Sequence, residues 1–551
     1  MCVLHIIQYL KILGSTNVEQ EKMKLVRSSD NVQGAAATAS TSPLKQVEVK
    51  TFHERYSAGE TAGGLSVLFT VLCIVDLFGV FPVVALPKSI ITCGIYGIPL
   101  VISVFGLQLY TAVLLGRCWL LAYEISPNIR EKIRFPYAAL AELAFGDQAR
   151  TIVTFLIDAT VFGAGVPNFI FASQSLQMFW WKITDGGVRV SYCVWMIVLG
   201  ILLCPVMWLG SPKHMKPVAL TSACIVTTVA ICTWCCIYLD DTSPPPSGDV
   251  LLYSPSARDF LVAYGIIAFQ FDIHPMLLTL QVDMKDSRKI NSAVLGGFIV
   301  TGIMFMITSL LAANRYGNHV ENNILQGMPP SVPLFIVALL VTLQLCLSSA
   351  VSSTALFQHV EDFLNIPQEF NIKRCLLRSG IVAMAVFLGE SVPRFDLVMG
   401  IVGSTLTGPI MFVFPPLFFL RLCYIRTQIR DAIQSRVKHK TVRFADVDSY
   451  QNGIQNGDMS KSPLIINKAQ TKYRTFTHFE DNGPDIDRND YTIKWYDVLC
   501  AIVVMLMGIS ATIVATYFSW SEAVSSATFS TPCLLNASAA ARYFIETTRL
   551  E

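Results

Sequence analysis

Long apolar runs broken by short polar punctuation fill residues 64–420, and a further one occupies 496–520. A helix needs about 20 mostly apolar residues to cross the hydrocarbon of a bilayer. Backbone in lipid must satisfy its own hydrogen bonds, so each long run reads as a helix. The runs are 64–87, 97–121, 151–176, 190–209, 218–239, 258–281, 292–313, 332–356, 376–390, 397–420 and 496–520, eleven in all, with 376–390 the shortest. Two long polar stretches stand outside this pattern: 1–63 is rich in Ser, Ala, Thr, Gln and Lys, and 421–494 in charge, Asn, Gly and Asp. Both read as loosely ordered. The expected organisation is an N-terminal segment 1–63, a ten-helix core 64–420, a loop 421–494, a last helix 495–520 and a tail 521–551.

Composition agrees with an all-α polytopic membrane protein. The charged fraction is 15% and the apolar fraction 53%, whereas a soluble surface needs roughly 25% charged residues. A net charge of +2 gives no basic surface for nucleic acid. Lys and Arg concentrate in alternate loops, at Arg130, Lys132 and Arg134, Lys213 and Lys216, Lys285, Arg288 and Lys289, and Lys373 and Arg374. The positive-inside rule then places 1–63 and 421–494 in the cytosol and, with an odd number of spans, the C-terminus opposite. Asn536-Ala-Ser538 is a glycosylation sequon in that tail, usable on the lumenal or extracellular side. Met1–Gly14 is too short and polar to span and does not read as a cleavable signal.

Most of the fifteen cysteines lie in apolar runs, as Cys73, Cys204, Cys232, Cys235 and Cys346 do, and read as small hydrophobes. Cys93, Cys193 and Cys533 fall near outer segments, where one disulfide has room to form. No spacing of Cys and His suggests a metal site. Neither a H-E-x-x-H pair nor a G-x-S-x-G turn is present, so the sequence does not read as an enzyme and implies no cofactor.

Two runs carry internal breakers. The first contains Gly79-Val80-Phe81-Pro82, followed by Pro87; the sixth contains Gly265, Phe269, Gln270, Phe271, Asp272, His274 and Pro275. Proline removes an N–H and clashes with the preceding turn, so Pro82 is expected to unwind or kink the first helix. Paired discontinuous helices mark binding sites in transporters, where freed amides and carbonyls face the substrate and its coupling ion. The substrate candidates are accordingly Gly79, Val80, Phe81, Pro82, Gly265, Phe269 and Phe271. Breaks in spans one and six occupy corresponding places of a five-plus-five inverted repeat.

Ionisable groups within the runs supply candidates for ion coupling. Asp76 lies three residues before Gly79; a charge at that depth costs about 3 kcal/mol unless it faces a pocket. Ser348, Ser349 and Ser352 in the eighth run offer hydroxyls for an oxygen-lined site, or pack helices and bond their own carbonyls. Asp272 and His274 stand two apart, and an unwound segment lets them act together; His274 suits proton coupling or a gating or structural role. Asp158 is another costly intramembrane charge, either paired with a neighbouring helix or part of the pathway. Pro167, Asn168 and Gln174 follow it on the same run. Lys438-His439-Lys440 reads as a solvated patch or a contact for anionic lipid.

Taken in order, Ala85-Leu86-Pro87, Phe269-x-Phe271-Asp272-x-His274-Pro275, Tyr316-Gly317 with Asn323-Ile324-Leu325, and Gly403-Ser404 with Phe414-Pro415-Pro416-Leu417-Phe418-Phe419 give the chain a resemblance to the amino acid/auxin permeases. That family includes vesicular inhibitory and proton-coupled amino acid transporters. The resemblance covers roughly 60–420 and the last span. It implies a leucine-transporter-type fold with alternating access, an amino acid as substrate, H⁺ or Na⁺ as coupling ion, and residence in the plasma membrane or an endolysosomal or vesicular membrane. Asp76 falls near the place where sodium-coupled relatives have a cation-binding asparagine. Here the family's G-x-G before A-L-P is replaced by a stretch with Gly79 and Pro82, and Pro82 supplies no amide donor for a carboxylate. That departure leaves a second class open: a membrane sensor that binds an amino acid without moving it.

Overall fold

The first apolar run does not fold as one helix. The computed structural model describes residues 64–126, 129, 134–185, 190–209, 215–241, 255–367, 370–392, 394–431 and 494–526. In it the run forms α1 (Val67–Phe78), α2 (Phe81–Val84) and α3 (Leu86–Ile91). Ser66 caps α1, its hydroxyl accepting from Phe69 N at 3.2 Å. The helix ends at Gly79, whose φ of 64° suits a residue without Cβ. The expected breaker, Pro82, stands directly after the break, four residues beyond Phe78, so that its ring and missing N–H act on the turn where α1 ends. Pro82 and Pro87 sit in the first turns of α2 and α3, where an N–H has no intrahelical partner to lose.

The chain continues through α4 (Gly97–Ile125), α5 (Pro136–Phe145), α6 (Asp147–Ile183), α7 (Tyr192–Leu209) and α8 (Met215–Leu239). The sixth run is split into α9 (Ala257–Gln270) and α10 (His274–Asp283), with Pro275 again in a first turn. Then come α11 (Ile290–Tyr316), α12 (Val332–Phe363), α13 (Ile372–Ser391), α14 (Phe395–Asp431) and α15 (Trp495–Ser526). Among the described residues, eight helices are long and apolar enough to cross a membrane, with α9 and α10 counted as one path; α1 and α7 are shorter apolar helices. α13 holds the 376–390 run but also carries Lys373, Arg374, Arg378 and Glu390. The chain is thus an all-helical, polytopic membrane protein. α14 runs past the expected boundary at 420 because its polar end is held by other helices: Arg421 Nε donates to Ala144 O at 3.1 Å, and Arg426 pairs with Glu124 at 3.0 Å.

α6 packs along α12, α1 against α11 and α8, and α9 against α14 and α15. Leu65 ties the start of α1 to the end of α10: its N–H donates to Asp283 O at 2.8 Å, and its carbonyl accepts from Lys285 N at 3.0 Å. The α9–α14 crossing is closest. A Cβ on Gly403 would stand 2.0 Å from Gly265 O, and one on Gly265 would stand 2.8 Å from Gly400 O. Small residues are what allow such backbone contact between membrane helices. Here α14 adopts two π-helical stretches, Gly403–Thr407 and Pro409–Val413, and Ile410 O accepts from the Tyr137 hydroxyl at 2.8 Å. Gly403→Ala is expected to cost about 1–3 kcal/mol by overpacking, read as a lowered midpoint in thermal unfolding of the detergent-purified protein. A wild-type midpoint would show that the crossing opens freely.

Candidate functional site

A cavity of about 110 Å³ lies where the two broken paths meet, lined from α1, α2, α6, α9, α10, α12 and α14. Of the residues expected to hold substrate, Gly79, Phe81 and Phe269 line it. Val80, Pro82, Gly265 and Phe271 do not: Val80 and Pro82 are buried in helix packing, and Gly265 is spent on the α14 crossing. Phe271 joins a ring cluster, 5.4 Å from Phe78, 5.1 Å from Phe105 and 5.8 Å from Phe305 between centroids. Of the ion-coupling candidates, Asp272, Ser348 and Ser352 line the cavity, whereas Asp76, His274 and Ser349 stand outside its lining. Asn168 lines it as well; Gln174 does not.

Breaking a helix frees backbone groups that must find other partners. Buried amide side chains supply them. Gln270 Nε2 donates to Phe78 O, at the end of α1, at 2.8 Å. Gln108 Nε2 on α4 donates to Ala268 O, at the end of α9, at 2.8 Å. Gln344 on α12 lies against the break in the first path, where a Cβ on Gly79 would meet its Nε2 at 3.1 Å. On the other side of the second break, Asp272 Oδ1 accepts from His274 N at 3.1 Å, satisfying one of the N–H groups left free at the start of α10. His274 is fully buried, with Nε2 3.0 Å from Thr111 Oγ1 and Nδ1 3.4 Å from Asp272 Oδ1. Gln270 stands out in the sequence only as part of the broken stretch of the sixth run, and Gln108 and Gln344 not at all. Their signal is a polar amide inside a long apolar run, which lipid does not tolerate unless the side chain faces inward.

Asp76 is 2% exposed and lies beside the side chains of Ser222 and Gln344. Its Oδ1 has no hydrogen-bond partner, and neither has Gln344 Oε1; the Gln344 amide reaches Ser222 Oγ at 3.5 Å. Two buried acceptors without donors, each costly alone, thus share one small cluster. Two of the three serines expected to complete this cluster have other partners. Ser352 Oγ donates to Ser348 O at 2.8 Å, and Ser349 Oγ accepts from Asn168 Nδ2 at 3.1 Å. Asp158 pairs with His359, which the sequence pattern does not mark: its Nδ1 lies 2.5 Å from Asp158 Oδ1, joining α6 to α12. Phe135 covers that imidazole, centroid to centroid 3.9 Å.

Cys193 is disulfide-bonded, while Cys93 is a buried free thiol. Cys533, Asn536 and Lys438–Lys440 lie outside the described residues.

The family model described as transmembrane amino acid transporter protein matches residues 65–444, well over half of the chain. The chain belongs to this transmembrane amino acid transporter family. Amino acid transporter AVT1E of Arabidopsis thaliana is 22% identical over 430 residues, covering 75% of this chain and 77% of that protein. Vacuolar amino acid transporter 3 of Schizosaccharomyces pombe is 20% identical over 399 residues, 70% of this chain and 57% of that protein. Sodium-coupled neutral amino acid transporter 4 of Pongo abelii matches a shorter part, 23% identical over 167 residues, 29% of this chain and 30% of that protein. The members of this family are transporters rather than enzymes, and the cavity of this one lies inside the matched region.

Proposed function

We propose that this protein carries amino acids across a plasma or endomembrane by alternating access, driven by H⁺ or Na⁺. The observation that carries the reading is the cavity between the two helix breaks, with Gly79, Phe81, Phe269 and Asp272 on its wall. Breaks at α1/α2 and α9/α10 are where a five-plus-five repeat would place a substrate, and the cavity has room for a small solute. The names of the relatives, amino acid transporters of plant, yeast and animal origin, point to the same substrate class.

The coupling cation is assigned to the cluster of Asp76, Gln344 and Ser222. A proton on Asp76 would supply the missing donor; Na⁺ would take the carboxylate and amide oxygens as hard ligands. Neither Ser348 nor Ser352 belongs to that cluster, though both face the substrate side. The amides of Gln108 and Gln270 hold the freed carbonyls of α1 and α9 at fixed partners, so the breaks are built in rather than incidental.

The test is uptake of a panel of labelled amino acids into proteoliposomes under an imposed proton or sodium gradient. Accumulation above the outside concentration, collapsed by the matching ionophore, is the expected result. Saturable binding without accumulation under either gradient would replace transport with the sensor reading.

A further inference from the structure

We infer that Asp272 is the receptor for the substrate's ammonium group, and that it confines the cavity to solutes with a free cationic amine and no anionic side chain. This inference rests on the transport reading and deepens it. Among the described residues, Asp272 is the one ionisable side chain on the cavity wall; the others are apolar or neutral, including Thr160, Asn168, Ser348 and Ser352. An amino acid brings one positive and one negative group into this space. Hydroxyls and a carboxamide donate hydrogen bonds to a carboxylate without a formal charge, whereas an ammonium removed from water needs a charged or strongly polar partner.

Asp272 is also oriented for that task. Its Oδ1 accepts from His274 N at 3.1 Å and the Thr407 side chain lies beside the carboxylate, while His274 Nδ1 stands 3.4 Å away without a hydrogen bond. The imidazole is itself fixed by Thr111 at 3.0 Å. The carboxylate is thereby anchored on one oxygen at the start of α10 while its residue lines the cavity. Leu77, Phe81, Phe269, Met276 and Leu345 give the rest of the wall an apolar character, suited to an aliphatic or aromatic side chain. The neutral polar groups of this wall serve one carboxylate, the α-carboxylate of the substrate; a second would meet no Lys, Arg or His among the described lining residues and would lie near Asp272 in a space of low dielectric, where like charges repel strongly. Asp272 is thus a selectivity residue, distinct from the cation cluster at Asp76.

The experiment compares wild type, Asp272→Asn and Asp272→Glu in proteoliposomes, with a neutral amino acid that wild type accumulates as the labelled substrate. In wild type, neutral and cationic amino acids should compete for uptake; acidic ones and N-acetylated forms of the same amino acids should be at least tenfold weaker. Asp272→Asn should raise KM at least tenfold with the pH profile of the maximal rate kept, and Asp272→Glu should recover part of the loss. Unchanged KM with loss of the pH response in Asp272→Asn would make Asp272 a proton carrier and overturn the assignment. Equal uptake of acidic and neutral amino acids by wild type would overturn the selectivity. If wild type accumulates nothing under any gradient, transport itself has failed. The receptor is then read from ligand-induced shifts in melting temperature of the purified wild type and variants with the same panel. There, a stabilisation by neutral amino acids that survives Asp272→Asn would overturn it.

Discussion

Asp76→Asn leaves a folded protein that no longer uses a proton gradient to accumulate its substrate. The carboxylate is buried in α1, 2% exposed, beside Ser222 and Gln344, and one of its oxygens has no donor. Asparagine has the same shape, so packing is kept, and removing a charge from mid-membrane does not itself cost stability. What is lost is the attraction to a cation. For two unit charges at about 4 Å in partly screened surroundings that is about 4 kcal/mol, roughly a thousandfold in affinity at about 1.4 kcal/mol per decade. An amide coordinates Na⁺ through its oxygen but does not exchange a proton, so sodium-driven uptake should persist in weakened form while proton-driven uptake fails. Uptake under each gradient separately, with the melting temperature as a check on folding, reads the difference. If rate, affinity and pH response are all those of wild type, Asp76 is a structural partner, and His274 becomes the next residue to test.

Glu361→Gln should cause the largest loss of stability. Glu361 and Arg378 are each 1% exposed, with Arg378 Nε 2.6 Å from Glu361 Oε1 and Arg374 Nε 3.1 Å from the same oxygen. Arg378 also donates to Met207 O and lies 5.0 Å from the centre of the Phe357 ring. One carboxylate therefore pairs with two guanidinium groups and clips α12, α13 and α7 together. Removing one partner of a buried pair typically costs about 3–5 kcal/mol, because the other charge is left uncompensated. The expected readout is a large drop in melting temperature, with weak recovery of folded protein from the membrane. Pairing Glu361→Leu with Arg378→Met should restore much of the loss, since both charges then leave together. A single variant that melts with wild type would show that water or lipid headgroups reach Arg378 in the folded protein.

The same pair explains one limit on reading the fold from the sequence. Apolar runs of twenty residues announce membrane helices because lipid admits few alternatives, and the long helices lie on those runs. α13 is different: its buried Arg378 is neutralised by a residue 17 positions earlier on another helix, and a hydropathy pattern does not reveal such a partner. The helix breaks are marked in the sequence by Gly79 with Pro82 and by the Gly265–Pro275 stretch; Pro82 forbids the bond back to Phe78, and Gly79 takes the backbone turn that follows. Asp76, Asp158 and Asp272 stood out because charge is rare in these runs. Their neighbours Ser222, Gln344 and His359 did not, because each comes from a helix distant in sequence. The serines of α12 drew attention by number, yet several bond their own helix, as hydroxyls in membrane helices commonly do.

The clasp at Leu65 has a mechanical consequence. From Val67 to Leu77 on the cavity wall, α1 spans about 15 Å at 1.5 Å per residue. The hydrogen bonds from Leu65 to Asp283 and Lys285 join the far end of that rod to the far end of α10, whose near end supplies Pro275 and Met276 to the same wall. The two rods form a closed linkage with the cavity at its apex, and a tilt of either is transmitted to the other. A load applied to the chain just before α1 therefore acts with a long lever arm on both sides of the cavity at once.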